Sequence, residues 1–182
     1  MAYYYWYQND PELYQAEVQA MRHFFPQFKI NQLQDGSGRL YWRGKVQPIP
    51  GGIVWDVMLI YKNDHPHAGQ YEYGGSVQIL PITPRLKDIA EQMMPLLLDS
   101  YGGMENLKAK GLQLGLPHVY HDGFGREEEY FICTADPKYF KTGQAQSTSA
   151  ATALSWACKW MMLCEMWING EISDDVAMEG NY

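Results

Sequence analysis

The segment that decides the fold is Ile53–Tyr61, which reads Ile-Val-Trp-Asp-Val-Met-Leu-Ile-Tyr. It is rich in the β-branched and aromatic residues that pack well on the pleated surface of a sheet. We therefore predict a β-strand here, the most strongly indicated strand in the chain. The segments on either side are then candidates for its partner strands.

Three neighbouring segments carry weaker strand patterns. They are Phe28 to Leu33, Leu40 to Val46 and Ser76 to Ile82. Turn signals separate them, with Asp35-Gly-Ser-Gly38 after the first and Pro48 to Gly52 after the second. Because strands joined by short turns pair in antiparallel fashion, we predict a four-stranded antiparallel meander.

A helix is predicted before this meander. Asp10 is suited to the N-cap position, Pro11 to the first helical position and Glu12 to the first turn. Apolar residues then recur at helical spacing until Pro26, which cannot continue a helix. We place this N-terminal helix at residues 11–25.

Further helices are predicted after the meander. Thr83-Pro84 is predicted to cap and begin one helix, which Pro95 should either end or kink, with Leu96-Leu97-Leu98 continuing it after a kink. A short helical piece is predicted at 104–110. The last helix is predicted at 150–168, where apolar residues cover so wide a face that we expect it to be mostly buried. One helix, then strands, then C-terminal helices favour an α+β fold with the helices on one side of the sheet.

Length and charge limit the class of protein. The chain has 182 residues, 46% of them hydrophobic, so we predict a single domain over residues 1–182 with a packed core. Residues 1–10 form an aromatic extension that packs on the domain or joins a partner interface, and residues 173–182 form an acidic tail that we expect to be loosely held. The net charge of −7 disfavours nucleic acid as a ligand, because phosphate binding requires a basic face.

Cysteine usage indicates the cellular compartment. Cys133, Cys158 and Cys164 cannot all pair, and the last two lie six residues apart on one predicted helix, facing different directions. We therefore expect reduced cysteines and a cytoplasmic protein, with Cys158 and Cys164 in the core. The apolar run Ala150–Ile168 is interrupted by polar and charged residues such as Lys159, so no membrane span is predicted.

The residues best suited to chemistry lie in the stretch Leu116–Pro137. Cys133 follows the apolar pair Phe131-Ile132 and precedes a turn-like segment, so its thiol should lie where a strand ends. It is either a nucleophile or a buried structural cysteine, since free cysteine is among the most buried residue types. His118 can orient a thiol, stabilise an oxyanion or act as a base, or it can be a loop histidine that bonds a backbone carbonyl.

A metal site is a third interpretation. His65 and His67 lie two residues apart, and His118, His121 and Cys133 could add ligands. Zinc requires three or four nitrogen or sulfur ligands in a tetrahedral array, and neither a CxxC nor an HExxH motif occurs. We accordingly expect no metal and no cofactor.

Four groups of residues resemble the motifs of one known family. These are Tyr41-Trp-Arg-Gly-Lys-Val46, Pro117-His-Val-Tyr120, Ile132-Cys-Thr-Ala-Asp-Pro137 and, in the last helix, Ala151-Thr152, Ser155-Trp156-Ala157, Trp160-Met161, Cys164-Glu165-Met166-Trp167 and Asn169-Gly170. With the order of helices and strands, they resemble the bacterial ubiquitin-conjugating-enzyme-like family with its UBC fold. The resemblance extends over roughly residues 11–172.

The resemblance implies a transferase. In that family the cysteine matched by Cys133 carries an acyl group as a thioester, which an amine then attacks to form an amide bond. His118 would hold the active-site loop or stabilise the oxyanion, and Tyr120 would support the site. The His-Pro-Asn triplet of the eukaryotic enzymes is absent, residues Phe124–Phe131 are additional, and Thr134-Ala135 replaces an apolar-aromatic pair.

The resemblance also implies partners. Stand-alone bacterial proteins of this kind are similar to components of cyclic-oligonucleotide antiphage (CBASS) operons, where they conjugate the C-terminus of a CD-NTase-type nucleotidyltransferase to targets. The chain has no room for an adenylating domain, so a separate activating enzyme would be required unless activation occurs differently. The alternative is a non-catalytic binding module of the same fold, with an inert Cys133 and an interface formed by the aromatic N-terminus and Phe124–Phe131.

Overall fold

An antiparallel sheet dominates the structure, a computed structural model that describes residues 5–67, 75–110, 116–120, 130–134 and 149–179. The six strands within these ranges are β1 (Lys29–Gln32), β2 (Leu40–Val46), β3 (Trp55–Tyr61), β4 (Val77–Thr83), β5 (Val119–Tyr120) and β6 (Phe131–Ile132). Their order across the sheet is β1-β2-β3-β4-β6-β5.

The predicted meander is correct for the first four strands but the predicted number of strands is too low. Strands β1 to β4 pair in sequence, and β6 then adds to the outer edge of β4 and pairs with β5. Strands β5 and β6 have two residues each, too few for alternating hydrophobicity to be visible in sequence. They are defined by hydrogen bonding to a strand far away in the chain, which local patterns do not report.

Helices before and after the strands confirm the α+β class. They are α1 (Trp6–Asn9), α2 (Pro11–Phe24), α3 (Leu86–Tyr101), α4 (Met104–Ala109), α5 (Ala150–Ile168) and α6 (Asp174–Glu179). Helix α5 packs on β3, β4 and α2, so it forms the centre of the helical layer. It is mostly buried as predicted, although Trp156 has 36% of its surface exposed.

Two of the predicted helix starts are confirmed in detail. The Asp10 side chain accepts a hydrogen bond from the Leu13 backbone N–H, and Pro11 is the first residue of α2. The Ser149 hydroxyl accepts a hydrogen bond from the Thr152 N–H at the start of α5. Each cap satisfies a backbone donor that the helix itself cannot pair.

The predicted start of α3 is wrong, and so is the alternative that Pro95 ends it, whereas the predicted continuation through Leu96-Leu97-Leu98 is confirmed. Thr83 is the last residue of β4, and α3 begins only at Leu86 without a side-chain cap. Pro95 neither ends nor interrupts α3, which continues to Tyr101. Pro95 lies on the exposed side of the helix, where water can hydrate the carbonyl it leaves unpaired, while Met93 and Leu97 keep the opposite side in the core.

The first and the last described segments, which contain Trp6 and Ala177, pack on the domain. Trp6 is buried, with its ring 4.9 Å from that of Tyr61 and 4.5 Å from that of His65 between centroids. The acidic tail is not loose where it is described: it forms α6, with Ala177 buried and Asp174 accepting a hydrogen bond of 2.7 Å from the Trp167 indole. The hydrogen bond and the buried alanine attach α6 to the end of α5.

The two faces of the sheet contribute to two separate hydrophobic clusters. The main core, which includes Trp42, Leu59 and Ile132, also contains the buried residues of the helices and therefore lies between sheet and helices. A second, smaller cluster contains the buried residues Ile60, Tyr120 and Phe131, which alternate with the main-core residues along their strands. The second cluster therefore lies on the opposite face of the sheet, and Cys133 packs against it.

Candidate functional site

Cys133 lies where the sequence predicted, directly after a strand. Strand β6 ends at Ile132, and Cys133 is half-buried beside the second hydrophobic cluster. A partly exposed thiol at the end of a strand combines a fixed backbone with access for a reactant. The arrangement is compatible with a nucleophile and differs from that of a fully buried structural cysteine.

His118 is joined to Cys133 through the backbone. The Cys133 N–H donates a hydrogen bond of 2.7 Å to the carbonyl of His118, which continues the pairing between β5 and β6 by one residue. His118 has a φ of 52°, in the left-handed region, and its side chain is exposed. Such a backbone costs about 1–3 kcal/mol for a residue other than glycine and persists only when its surroundings hold it.

Part of this support comes from α5. The Trp160 indole N–H donates a hydrogen bond of 3.0 Å to the carbonyl of Pro117, and both residues are buried. The segment before His118 is thus fixed by the last helix, and the segment after it by β6. Sequence reasoning assigned Trp160 only to the core, although a buried indole requires a hydrogen-bond acceptor and could have signalled such a contact.

Tyr120 lies beside the cysteine strand. It is buried in the second cluster, and its ring centroid is 5.6 Å from that of Phe131, the cross-strand neighbour of Tyr120. Phe131 belongs to the second cluster and Cys133 packs against it, so the two residues lie on the same face of the sheet. Tyr120 therefore supports the strand that carries the thiol.

A second neighbour of Cys133 comes from β4. Ile132 pairs with Ile79 on β4 and with Val119 on β5, so the next antiparallel positions set Cys133 opposite Gln78 on one side and His118 on the other. The Gln78 side chain has only 2% of its surface exposed. No sequence pattern singled out Gln78, because its nearness to Cys133 depends on a pairing between distant segments.

Of the other two cysteines, Cys164 is buried in the core, as predicted, and Cys158 is half-buried and packs against the core. Burial raises the pKa of the Cys158 thiol to about 11, and burial raises that of Cys164 to about 12, with Glu165 as a further cause. Both therefore remain protonated at neutral pH. Protonated thiols are poor nucleophiles, so these residues are suitable comparisons for Cys133.

The histidines proposed as metal ligands have other surroundings. The Nδ1 atom of His65 lies 2.8 Å from the Ser76 hydroxyl oxygen, and burial lowers the pKa of His65 to about 4. His67 is exposed, and His121 lies outside the described residues. Within the described ranges, no three residues of ligand type come close enough to bind a metal ion together.

A buried carboxylate on α2 organises the N-terminus of α5. One oxygen of Glu17 accepts hydrogen bonds of 2.7 Å from the Tyr61 hydroxyl and 2.9 Å from the Ala150 backbone N–H. The other oxygen lies 3.8 Å from Nε2 of His65. A negative charge is favoured at a helix N-terminus, so Glu17 fixes where α5 begins.

A second buried carboxylate explains the glutamate in the last helix. The two oxygens of Glu165 accept hydrogen bonds of 2.9 Å from the Trp55 indole and 2.9 Å from the Ile53 backbone N–H. A Cβ atom at Gly52 would overlap the second of these oxygens, so glycine is required there. Glu165 thereby ties α5 to the entry of β3, a role that sequence reasoning missed.

The additional segment after His118 is only partly visible. Of Phe124–Phe131, residues 124–129 lie outside the described residues, and Phe131 belongs to β6.

Within the described part of the chain, no helix is long and apolar enough to cross a membrane. Comparison with known proteins gives no match to a family model, a curated protein or a solved structure.

Proposed function

We propose that this protein is a ubiquitin-conjugating-like acyl carrier with a UBC-like fold, in which Cys133 forms a thioester and passes the acyl group to an amine. The observation that carries the proposal is the half-buried Cys133 at the end of β6, whose N–H bonds the carbonyl of the left-handed His118. The motifs around both residues, and those of α5, resemble the same family.

The chemistry needs a thiolate that both attacks and leaves. Cys133 Sγ attacks the carbonyl carbon of an activated carboxyl group and expels its leaving group, which gives a thioester. An amine then attacks the thioester, the C–S bond breaks, and the sulfur leaves as a thiolate. The exposed His118 accepts the proton that the amine loses, and Tyr120 keeps the strand of Cys133 in position.

The biological setting follows from the resemblance alone. We propose that the acyl group is the C-terminus of a CD-NTase-type nucleotidyltransferase in a bacterial antiphage system, and that a separate activating enzyme supplies it. A residue with one thiol and no bound cofactor can perform the transfer, but it cannot activate a carboxylate without an energy source. The activating partner is therefore part of the proposal.

The test is a gel of wild type and Cys133→Ala, co-expressed with neighbouring genes and run with and without reductant. We expect a band of higher mass that requires Cys133 and disappears on treatment with thiol. Cys133→Ser should give an ester that resists thiol, because an oxygen ester exchanges with thiols far more slowly than a thioester. Cys158→Ala, whose thiol is protonated at neutral pH, should keep the band.

The competing function is a non-catalytic binding module. If folded wild type and Cys133→Ala both lack the adduct and bind the same partner equally, the acyl-carrier proposal is wrong and the binding module is correct. An adduct of equal intensity in wild type and Cys133→Ala would also contradict the proposal, since the acyl group would then reside elsewhere.

A further inference from the structure

We infer that Gln78 is a catalytic residue of the Cys133 site, donating a hydrogen bond from its carboxamide to the oxyanion that forms at the thioester carbonyl. This inference rests on the proposed function. The group that stabilises the transition state is thereby assigned to β4, a strand that lies outside every motif near the cysteine.

The register of the sheet carries the inference. Ile79 is paired with Ile132 in an antiparallel ladder, so the residue before Ile79 lies opposite the residue after Ile132. Directly opposed residues of an antiparallel pair project to the same face, with Cβ atoms about 4.5–5.5 Å apart. The face shared by Gln78 and Cys133 is the one that carries the second hydrophobic cluster.

The backbone at Cys133 explains why a side chain is needed. A nucleophile's own backbone N–H often donates to the oxyanion in acyl transfer. Here the Cys133 N–H already donates to the carbonyl of His118 at 2.7 Å, so it is committed to the sheet. A side chain on the neighbouring strand can supply the donor instead, and Gln78 is opposite Cys133 on the β4 side.

Burial makes Gln78 suitable as that donor. Its side chain is 2% exposed, so little water competes for its N–H groups and little reorganisation accompanies the reaction. A carboxamide has two N–H donors and one acceptor oxygen, so one group can anchor the side chain while another donates to the oxyanion. Gln78 and His118 thus flank the thiol, with the donor on the buried side and the proton acceptor on the exposed side.

The reaction balances with these groups. The amine nitrogen attacks the thioester carbon, and the C=O pair moves onto the oxygen, where the Gln78 N–H stabilises it. The intermediate collapses, the C–S bond breaks, and the electron pair leaves on Cys133 Sγ as a thiolate. The proton lost by the amine goes to His118 or to water, and the product is an amide.

The experiment uses a small thioester, so no activating enzyme is needed. The full-length protein is incubated with the thiophenyl ester of N-acetylglycine, which exchanges onto Cys133, and free lysine is then added. Intact mass spectrometry follows loading and discharge in wild type, Gln78→Met, Gln78→Glu and Leu80→Met. Leu80 is the matched control, because it is on the same strand and face but lies opposite Phe131 rather than Cys133.

We expect discharge to lysine to fall by roughly 100-fold or more in Gln78→Met and Gln78→Glu, as for removal of one oxyanion donor, and to stay within about twofold in Leu80→Met. Alkylation of Cys133 by iodoacetamide passes through no oxyanion, so its rate should be unchanged in Gln78→Met. A purely structural role of Gln78 would lower both rates together, and that result would overturn the inference.

The two proposals can fail separately. Discharge at the wild-type rate from folded Gln78→Met refutes the role of Gln78 and leaves Cys133 as the acyl carrier. If Gln78→Met does not fold, Gln78→Glu preserves the side-chain shape and the same comparison decides. A wild-type protein that takes no acyl group on Cys133 overturns the proposed function and the inference with it.

Discussion

At the scale of single residues, Thr134 places a buried hydroxyl directly beside the site. Its side chain is 8% exposed, and the Oγ1 atom has no hydrogen-bond partner within the described part of the chain. A buried polar atom without a partner costs about 1–3 kcal/mol. The hydroxyl is therefore a source of instability directly after the cysteine.

Replacement of that hydroxyl should stabilise the protein. We expect Thr134→Val, which keeps the shape and removes the hydroxyl, to raise the free energy of unfolding by about 1 kcal/mol. The measurement is urea unfolding followed by tryptophan fluorescence. Loss of more than about 1 kcal/mol would mean that the hydroxyl makes a bond that the structure lacks, and loss of the Cys133 adduct would mean that it serves the reaction.

Residue types gave Cys133, His118 and Tyr120 as candidates, but the sequence could not supply their neighbours. His118 and Cys133 are fifteen positions apart and meet because β5 and β6 pair, and Gln78 joins them from β4. The buried glutamates were missed for the same reason: their partners are distant in sequence. Composition identifies a reactive side chain, whereas long-range pairing determines what lies beside it.

At the scale of elements, the long strands and helices were predictable and the short ones were not. The bounds of β2 and α5 match the prediction, because each is long enough to display its period and α5 also has a cap residue. The error at Pro84 arose because proline rules are local, and for the same reason the sequence could not decide whether Pro95 ends α3 or lets it continue. Tertiary burial of one side of α3 outweighs the single hydrogen bond that Pro95 removes.

The connection between α5 and the site yields a prediction for Trp160. Trp160→Phe retains an aromatic ring but removes the N–H that bonds the carbonyl of Pro117, so a buried carbonyl loses its partner. We expect a loss of about 1–3 kcal/mol in unfolding free energy, together with slower acylation of Cys133 because His118 is less firmly held. Guanidinium unfolding and the rate at which the thiophenyl ester of N-acetylglycine loads Cys133 measure the two effects.

The same helix provides the control for Trp160. Trp156 is partly exposed on α5, so Trp156→Phe should change the unfolding free energy by no more than about 0.5 kcal/mol. Equal effects of the two substitutions would mean that loss of indole size, and not loss of the hydrogen bond to Pro117, causes the change. A stable Trp160→Phe with unaltered cysteine reactivity would remove α5 from the support of the site.

At the scale of the whole molecule, one buried polar network joins distant parts of the chain. Glu17 on α2 bonds Tyr61 on β3 and the N-terminus of α5, and His65 beside it contacts Ser76 just before β4. Trp6 covers the network from the N-terminal side. Protonation of this network therefore affects the packing of several elements at once.

The network makes stability depend on pH, with His65 as the main cause. Burial lowers the pKa of His65 from 6.5 to about 4. Between these pH values His65 is therefore protonated in the unfolded chain but neutral in the folded protein. Stability from His65 is complete above pH 6.5 and is lost as pH falls towards 4, by up to about 3 kcal/mol at about 1.4 kcal/mol per unit of pKa. Burial raises the pKa of Glu17, so its carboxyl group loses its charge at a higher pH than an ordinary glutamate does and offers less compensation to a protonated His65.

Urea unfolding between pH 4 and 7 tests this directly. Wild type should lose stability steeply below pH 6.5, whereas His65→Gln should be less stable at pH 7 but show a flatter curve, because glutamine does not titrate. His23→Gln removes an exposed histidine on α2 and should retain the wild-type slope. Glu17 acts in the opposite direction. Because its pKa is raised in the folded protein, the stability that Glu17 contributes falls as the pH rises through the folded-state pKa. Glu17→Gln should therefore make the loss of stability at acidic pH steeper. Parallel curves for wild type and His65→Gln would show that His65 titrates alike in the folded and unfolded states, contrary to its burial.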